Sequence, residues 1–470
     1  MNIDFSNYMS PLSWRYGSKE MRYIFSEEYK YRLWRRIWVT LAKVQHEAGI
    51  VSDDELVDLS THEKDIDIAR ILEIEKETRH DVMAAIKEFA EKAKIGGGKI
   101  HLGATSMDVV DNADALRVQE AFVIIENKLL QLLKLFADKI EKYACVPCIG
   151  FTHIQPAEPT TVGYRLSVYA NDLLTDFNLL QSVKSYIKAK GMKGAVGTRA
   201  SYKALLEGTK MSAQVLDDNV MKLLGIEGTL IATQVYPRKY DYLALTLLAS
   251  IASSVGKFAS DLRILQSPPV GEWSEPFGSK QVGSSAMPFK KNPVNSEKIC
   301  SLARYLQQLP PVVLENATHS YLERTLDDSA NKRIIISEAF IVLDEILETA
   351  EKIITGLVIN LERIAYNLDQ YGPFAATETI LMSAVKNGGN RQELHELLRE
   401  LSLPAWSAIQ KGQPNPLHSL LLESDTLHKY LTQEQIKSLL DVSHYIGDAP
   451  ERALTLVKQI KKIAKKTING

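Results

Sequence analysis

The sequence predicts an all-α protein built around a bundle of long helices. Glycine and proline number 25 and 17 among 470 residues, fewer than the roughly 12% of an average protein, so few positions interrupt a helix. Five long central segments are apolar around much of their circumference, which is typical of helices buried on all sides. Convincing β-runs are few. A chain of this length is expected to form two to four domains.

The composition restricts the class of protein. Hydrophobic residues contribute 45% and charged residues 24% of the chain, which provides for a sizeable core and excludes a disordered protein. The net charge of -2 argues against a general surface for nucleic acids, although it permits a local anion site. Three cysteines form no disulfide framework and favour a reducing compartment.

The start of the chain and its most apolar stretch both bear on localisation. The first residues lack the basic and apolar regions of a signal peptide. The nearest candidate for a membrane span, residues 242–256, is short and rich in Ala, Ser and Thr, so we expect a buried helix there. The sequence therefore predicts a cytoplasmic protein with neither a membrane nor a nucleic-acid partner.

The first predicted domain is helical and covers residues 1–110. Residues 19–46 predict a helix with an aromatic stripe, interpreted as core, and Gly49 follows in the position typical after a helix end. Residues 65–94 predict shorter helices. Three glycines at 96–98 then interrupt the helical pattern.

The second predicted domain, residues 111–364, contains the long helices. They are expected over residues 111–143, 161–190, 238–266, 296–309 and 329–359. Helices of about 30 residues would be about 45 Å long. Their apolar surface exceeds what one chain is expected to cover, which favours an oligomer. Short β-segments are predicted near residues 147–152 and 229–236.

The third predicted domain, residues 365–470, is smaller and helical. The sequence pattern changes near residues 371–373, and shorter amphipathic helices follow, with breaks at Gly388-Gly389 and at residues 412–416. The lysine-rich end is interpreted as a solvated helix terminus that complements the helix dipole.

Two motifs resemble metal or redox sites but are incomplete. Cys145 and Cys148 form a lone CxxC without the second pair that zinc would need. His395-Glu396 begins like HExxH, but Arg399 occupies the place of the second histidine. No metal site is predicted.

Four polar segments lie at predicted helix ends. They are residues 79–81 (RHD), 101–106 (HLGATS), 150–156 (GFTHIQP) and 283–297 (GSSAMPFKKNPVNSE). The composition of the last segment fits a flexible surface loop. It fits equally a lid that closes over an anionic substrate, with Lys290 and Asn292 as hydrogen-bond donors.

The stretch GSSAMPFKKNP at residues 283–293 resembles the signature loop of the fumarase/aspartase superfamily, GSSxMPxKxNP. The chain also contains SPLSWRY, RHDVMA, HLGATS, GFTHIQPA and ERTLDDSANKR. Together with the signature loop, these motifs make nearly the whole chain similar to the adenylosuccinate lyase family, closest to its animal-type members. Lys291 and Lys298 stand where arginine is common, and lysine lacks the bidentate fork of arginine.

The resemblance implies a three-domain, all-α lyase. The central bundles of four subunits would form a homotetrameric core of twenty helices, with three subunits building each active site. The implied reaction is a β-elimination of fumarate, from adenylosuccinate to give AMP and from the succinyl-aminoimidazole-carboxamide ribotide, in purine nucleotide biosynthesis. Such a reaction needs a base, an acid for the leaving nitrogen, and donors for the developing charge. No metal or other cofactor is implied.

The resemblance also assigns roles to residues. Ser284 is the base, its alkoxide stabilised by loop closure, Lys290 and backbone N–H groups; the residues alone do not separate it from Ser285. His153 is the general acid, a role that suits histidine because the ordinary pKa of a free imidazole side chain is about 6.5, and Glu297 orients it. His80 completes the catalytic set. The substrate-binding set is Arg15, Tyr16, Arg79, Asp81, Thr105, Ser106, Gln234, Asn292, Lys298, Arg324, Ser329 and Arg333, of which Arg15, Tyr16, Arg324, Ser329 and Arg333 would contact the phosphate.

Two alternative functions are weighed against this one. The first is another lyase of the superfamily, such as argininosuccinate lyase, whose substrate has no phosphate for the predicted phosphate contacts. The second is a non-catalytic helical scaffold. The presence of Ser284, His153 and Lys290 argues against a scaffold.

Overall fold

The computed structural model describes residues 6–278 and 280–469. It is 67% helical, which confirms the predicted all-α class. The N-terminal helices are α1 Lys19–Ile24, α2 Glu27–Glu47, α3 Asp53–Thr61, α4 Ile68–Thr78 and α5 Asp81–Lys92. The next helices are α6 Ser106–Tyr143, α7 Val162–Tyr186, α8 Ala200–Leu205, α9 Ala213–Leu224, α10 Lys239–Leu265, α11 Val294–Leu306, α12 Pro310–Thr318 and α13 Ser329–Gly356.

The last helices are shorter, apart from α14, α15 and α19. They are α14 Leu361–Lys386, α15 Arg391–Gln410, α16 Leu417–Leu422, α17 Asp425–His428, α18 Gln433–Leu440 and α19 Ala449–Asn469. The strands are β1 Pro147–Thr152, β2 Gln155–Thr161, β3 Trp273–Ser274 and β4 Val358–Ile359. The helix breaks expected at Gly388 and at residues 412–416 are confirmed, because α14 and α15 end just before them.

The helix predicted over residues 19–46 is two helices. α1 ends at Ile24, and Ser26 begins α2 by accepting a hydrogen bond on its side chain from the backbone N–H of Tyr29. Serine competes for backbone donors in this way and is therefore favoured at helix starts. The prediction of one uninterrupted helix is wrong for this reason.

The long central helices agree closely with the prediction. The expected segments 111–143, 161–190, 238–266 and 329–359 correspond to α6, α7, α10 and α13. The segment 296–309 is α11, and Pro310 starts a new helix, α12, as its first residue, a position that proline favours. α7 ends four residues early, since Ala189 leaves the helix to bond the backbone of Glu227 and Thr229.

The strands differ more from the prediction. β1 was expected and pairs with β2 in an antiparallel hairpin, with a register shift between Ile149 and Phe151. β2 was not expected, because Pro156 and Pro159 lie in it. The strand predicted over residues 229–236 is wrong. Thr229 and Thr233 there turn the chain by bonding the carbonyls of Ile231 and Val235.

The chain divides into two compact units. The first contains the segment that ends at Leu129, Thr175–Val255 and Ser301–Glu348, and the second contains Leu130–Leu174, Gly256–Cys300 and the segment from Thr349 onward. A core of aromatic and aliphatic side chains, among them Trp34, Trp38 and Phe89, lies in the first unit. A smaller core in the second unit is formed by the C-terminal helices, with Leu394, Leu417 and Ile436. The division into three domains stays a prediction.

α10 is long and apolar enough to cross a membrane, by length and composition only. Its most apolar window has a mean hydropathy of 1.4, and 56% of that window is buried inside the structure. A buried core helix passes the same test. This burial agrees with the buried helix expected over residues 242–256.

Candidate active site

The predicted site residues fall into two groups, one in each unit. The second unit carries His153, Ser284, Lys290, Asn292, Glu297 and Lys298. The first unit carries Arg15, Tyr16, Arg79, His80, Asp81, Thr105, Ser106, Gln234, Arg324, Ser329 and Arg333.

The signature loop is folded back on itself. The Nδ2 atom of Asn292 donates a hydrogen bond of 2.7 Å to the carbonyl of Gly283, which closes the loop at its base. A Cβ atom on residue 283 would lie 2.0 Å from the carbonyl oxygen of Lys290, so only glycine allows this approach. The resemblance assigns Lys290 and Asn292 to the substrate, and the loop places both within this closed turn.

The hydroxyl of Ser284 faces two backbone N–H groups of the signature loop. Its Oγ atom accepts hydrogen bonds from the N–H groups of Met287, at 3.0 Å, and of Ala286, at 3.3 Å. Donors directed at a hydroxyl oxygen favour its deprotonated form, because they stabilise the negative charge. Within the described residues Ser285 makes no such contact and is exposed. The geometry therefore distinguishes Ser284 from Ser285, and the role of Ser284 as the base stays a prediction.

His153 lies at the tip of the β1–β2 hairpin. Thr152 pairs with Gln155, so the turn has two residues, His153 and Ile154, with φ of 53° and 61°. Positive φ at both positions is characteristic of the type I′ turn, which usually contains Asn and Gly. A β-branched residue such as isoleucine is strained there. Backbone strain of this kind is concentrated at functional sites.

The signature loop leads directly into α11. The buried carboxylate of Glu275 accepts hydrogen bonds from the backbone N–H of Ser296, at 2.5 Å, and from the backbone and side chain of Asn295, at 3.2 Å and 2.9 Å. These contacts anchor the first turn of α11, where Glu297 is exposed. Within the described residues Glu297 makes no hydrogen bond with His153, and its orienting role stays a prediction.

In the first unit, the RHD segment forms the break between α4 and α5. Arg79 ends α4 with φ of 52°, and His80 precedes α5, its Nδ1 accepting the N–H of Met83 at 3.4 Å. The carboxylate of Asp81 accepts a hydrogen bond of 3.0 Å from Arg333. Two predicted binding residues from distant parts of the sequence are thus in contact.

Thr105 and Ser106 are held by a buried carboxylate. Asp108 is fully buried and accepts the backbone N–H of Thr105 at 3.0 Å. The same carboxylate forms an ion pair of 2.6 Å with the buried Lys190 and accepts the hydroxyl of Tyr202 at 3.1 Å. This cluster fixes the start of α6, so the two hydroxyls predicted for a succinyl carboxylate lie on an anchored turn.

Earlier in the same HLGATS segment, His101 is held in its neutral form. The indole N–H of Trp38 donates a hydrogen bond of 3.0 Å to its Nδ1, an atom that accepts only when it carries no proton. Burial, opposed by the charge of Asp108, lowers the pKa of His101 to about 4.

The predicted phosphate contacts lie around α13. Ser329 is its first residue, and Arg324 donates to the carboxylate of Asp328 at 2.6 Å. The loop of Gln234 is joined to this segment, because its backbone N–H donates to the carbonyl of Glu323 at 3.2 Å. The structure therefore brings the segments of Gln234, Arg324 and Ser329 together.

The segment of Arg15 and Tyr16 is attached farther along α13. The next two backbone N–H groups, of Gly17 and Ser18, donate to Glu345 at 2.9 Å and Asp344 at 2.6 Å. Gly17 has φ of 76°, and a Cβ atom there would lie 2.7 Å from the side chain of Ile341. Glu345 lies 16 residues, or about 24 Å, along α13 from Ser329, so the segment of Arg15 and Tyr16 lies apart from the other predicted phosphate contacts of the same chain.

Sequence reasoning missed the buried carboxylates that hold these segments, chiefly Asp108, Glu275 and Asp328. Asp328 lies inside the motif ERTLDDSANKR, Asp108 lies two residues after HLGATS, and Glu275 lies eight residues before the signature loop; these positions were the available signal. A carboxylate is rarely buried without partners. An acidic residue in an otherwise apolar helix start could therefore have been read as an anchor.

Comparisons with known proteins place the chain in a family. Residues 22–307 match a family model described as "Lyase", and residues 373–453 match one described as "Adenylosuccinate lyase C-terminus". The chain is similar to adenylosuccinate lyase of Saccharomyces cerevisiae, with 38% identity over 99% of this chain and 96% of the yeast protein. It is 38% identical to that of Schistosoma mansoni, over 96% and 94% of the two chains, and 33% identical to that of Archaeoglobus fulgidus, over 97% and 99%.

Solved structures show the same fold at low identity. Fumarate lyase from Mesorhizobium sp. BNC1 aligns with a TM-score of 0.83 and 22% identity, over 96% of this chain and 99% of that chain. The 3-carboxy-cis,cis-muconate lactonizing enzyme from Pseudomonas putida aligns equally well, over 96% and 100%. The special closeness to animal-type enzymes stays a prediction. On the evidence of the family models and these full-length relatives, the chain belongs to the adenylosuccinate lyase family.

Proposed function

We propose that this protein cleaves adenylosuccinate to AMP and fumarate by β-elimination, and cleaves the succinyl-aminoimidazole-carboxamide ribotide in the same way during purine nucleotide biosynthesis. The observation that carries the proposal is the hydroxyl of Ser284, which receives two backbone N–H donors inside the family's signature loop. Similarity to adenylosuccinate lyases over nearly the full chain supports it.

In the proposed reaction, Ser284 acts first. Its alkoxide removes a proton from the succinyl carbon next to a carboxylate, and the electron pair of that C–H bond moves into the carboxylate as a doubly charged aci-form. Lys290 and Asn292 would donate hydrogen bonds to this charge, and Thr105 and Ser106 would bind the other carboxylate. Donors fixed in advance lower the barrier because they need no reorganisation as charge develops.

Breakage of the C–N bond then requires an acid. His153 would protonate the leaving nitrogen while the electron pair of the aci-form returns to complete the double bond of fumarate. Glu297 would orient the imidazole, and His80 would assist in the catalytic set. Arg79, Asp81, Gln234 and Lys298 would complete the contacts to the substrate.

The phosphate of the nucleotide would be bound by a cationic set. Arg15, Arg324 and Arg333 supply charge-assisted hydrogen bonds, which are shorter and stronger than neutral ones. Tyr16 and Ser329 supply hydroxyls. Arg324, Ser329 and Arg333 lie at the start of α13, whereas the segment of Arg15 and Tyr16 is attached about 24 Å farther along it. Arg15 and Tyr16 of one site would therefore come from another subunit than the other three contacts.

We also propose a homotetramer with composite active sites, in the cytoplasm. Several apolar side chains on the long helices are exposed in the single chain: Val123 (49%), Val168 (49%), Leu179 (44%) and Ile334 (55%). Association would bury this surface and stabilise the assembly. Exposed positions of His153 and Glu297 leave both available to groups from other subunits. Three free cysteines agree with a reducing compartment.

The decisive experiment follows fumarate released by the purified protein. We expect release from adenylosuccinate and none from argininosuccinate, since the latter offers no phosphate to the cationic set. No release from adenylosuccinate at saturating concentration would refute the proposal. Release from argininosuccinate instead would identify a different lyase of the superfamily.

A further inference from the structure

Five side chains of the first unit, four of them buried, alternate in charge from the partly exposed Arg324 into the protein. Arg324 pairs with Asp328 at 2.6 Å, and the other oxygen of Asp328 accepts Arg238 Nε at 2.6 Å. Arg238 continues to Asp111 at 3.0 Å, and Asp111 lies 3.5 Å from Lys332. We call this series the charge chain.

The charge chain is deeply buried. Exposed fractions are 0% for Asp111, 2% for Asp328, 5% for Arg238 and 8% for Lys332. Burial alone would raise the pKa of Asp328, but Arg238 and Arg324 beside it lower this pKa below its usual value. Desolvation consumes most of the attraction within such pairs, so buried ion pairs contribute little net stability compared with apolar side chains. Stability therefore does not explain the charge chain.

The inner end of the charge chain is fully partnered. Lys332 also contacts Asp114 at 3.1 Å and Asp241 at 3.9 Å. The second oxygen of Asp111 accepts the backbone N–H of Tyr236 at 2.9 Å, two residues after Gln234. The charge chain thus joins α6, the Gln234 loop and the start of α13.

The outer end is incomplete. Arg324 is a cation whose side chain is 11% exposed, and within the described residues its buried Nε has no hydrogen-bond partner. A buried donor without a partner is destabilising. An anion beside Arg324 would partner this donor and continue the alternation of charge.

We propose that Asp328 and Arg238 are positioning residues, which hold the guanidinium of Arg324 in the orientation that binds the phosphate of the nucleotide. The backbone carbonyl of Asp328 accepts the N–H of Lys332 at 2.9 Å, so the residue whose side chain holds Arg324 stands directly before the start of α13 at Ser329. Arg238 couples this start to Asp111 on α6. The inference rests on the proposed function and deepens it.

The test compares nucleotide and nucleoside in the purified enzyme. In Asp328→Asn, which keeps the side-chain shape but loses the charge, we expect KM for adenylosuccinate to rise about 10- to 100-fold, the usual effect of removing a charged hydrogen-bond partner. Cleavage of succinyladenosine, the same substrate without its phosphate, should fall by less than about 3-fold in kcat/KM. Arg238→Lys keeps the charge but loses the planar fork that joins two carboxylates in a fixed geometry, so it should behave similarly.

Glu88→Gln is the matched control. It breaks the buried pair of Glu88 with Arg35, which joins α2 to α5 and contains none of the predicted site residues. Any change in kcat/KM should therefore be the same for the nucleotide and the nucleoside. Equal losses on both substrates in Asp328→Asn and Arg238→Lys would overturn the inference. So would unfolding of both variants while Glu88→Gln stays folded, since the charge chain would then be structural.

Binding experiments separate this inference from the proposed function. Calorimetry measures the binding of AMP and of adenosine without turnover. Asp328→Asn should bind AMP at least about 10-fold more weakly than the wild type, while its affinity for adenosine is unchanged. An AMP affinity equal to that of the wild type would overturn the inference. A wild type that binds AMP but does not cleave adenylosuccinate would refute only the proposed function.

Discussion

Ser284 and Ser285 are adjacent, yet their surroundings differ. The two N–H groups directed at Ser284 Oγ come from the tight turn of the signature loop, so they are in place before any substrate binds. Among the described residues, the hydroxyl of Ser285 accepts no such hydrogen bonds. Position within one turn therefore separates two side chains that are chemically identical.

This difference predicts unequal effects of two substitutions. Ser284→Ala should lose at least about 100-fold in kcat, because it removes the proposed base, while its melting temperature and oligomeric size stay close to those of the wild type. Ser285→Ala is the matched control and should keep most of its activity. Steady-state kinetics on adenylosuccinate would show the contrast. The reverse result would assign the base to Ser285.

His101 predicts how stability depends on pH. Its pKa is lowered to about 4 by burial, so between pH 6.5 and 4 the unfolded chain binds a proton that the folded chain does not. Stability is therefore fully present above about pH 6.5 and falls as pH is lowered towards 4, by up to about 3 kcal/mol. Urea unfolding of wild type and His101→Asn across this range should show a shallower decline in the variant. Parallel curves would contradict the role of His101.

At the scale of secondary-structure elements, the periodicity of apolar residues predicted the helices whose positions are determined by burial. α6, α10 and α13 were foreseen within a few residues, because long apolar segments leave few alternatives. The predictions that failed lie where local hydrogen bonds determine the secondary structure. Ser26 splits a helix by capping, Thr229 and Thr233 turn a segment that reads as a strand, and β2 tolerates its prolines beside a register shift.

The candidate site was predictable to a different extent. Its residues are predicted from motif resemblance alone, and the structure adds the contacts that hold them, such as Asp81 with Arg333 and Thr105 with Asp108. These contacts could not be foreseen, because they join residues far apart in sequence or depend on the depth of burial. Periodicity carries neither kind of information.

The signature loop itself predicts the effect of a single methyl group. Gly283→Ala would place a Cβ atom 2.0 Å from the carbonyl of Lys290, so the closed loop cannot form and activity should fall by at least about 10-fold. Gly278→Ala is the control in the same segment, since its Cβ would have no neighbour closer than 3.8 Å. Circular dichroism should show both variants folded. Full activity in Gly283→Ala would mean that the closed loop is not the active form.

At the scale of the whole molecule, the proposed tetramer is open to a direct test. Light scattering should give a mass of about four chains of 52.6 kDa each, because the exposed apolar side chains of the long helices need partners. A stable and active monomer would contradict the composite site.

Mixing of inactive variants tests whether subunits share each site. Ser284→Ala and His153→Ala tetramers, exchanged under mild denaturant and reassembled, should regain activity, since some mixed sites would then contain both intact residues. Each variant treated alone is the control and should stay inactive. Mixtures that assemble but stay inactive would place Ser284 and His153 of one site on the same subunit.

The hairpin tip has a consequence for the evolution of the protein. Ile154 at φ of 61° holds a conformation that glycine would adopt with less strain, so Ile154→Gly is a substitution that laboratory selection for heat resistance alone would be expected to favour. Such selection would also loosen the turn that presents His153. At this position a gain in thermostability would therefore be accompanied by a loss of turnover. Lineages selected only for survival on heating would become more stable but slower enzymes.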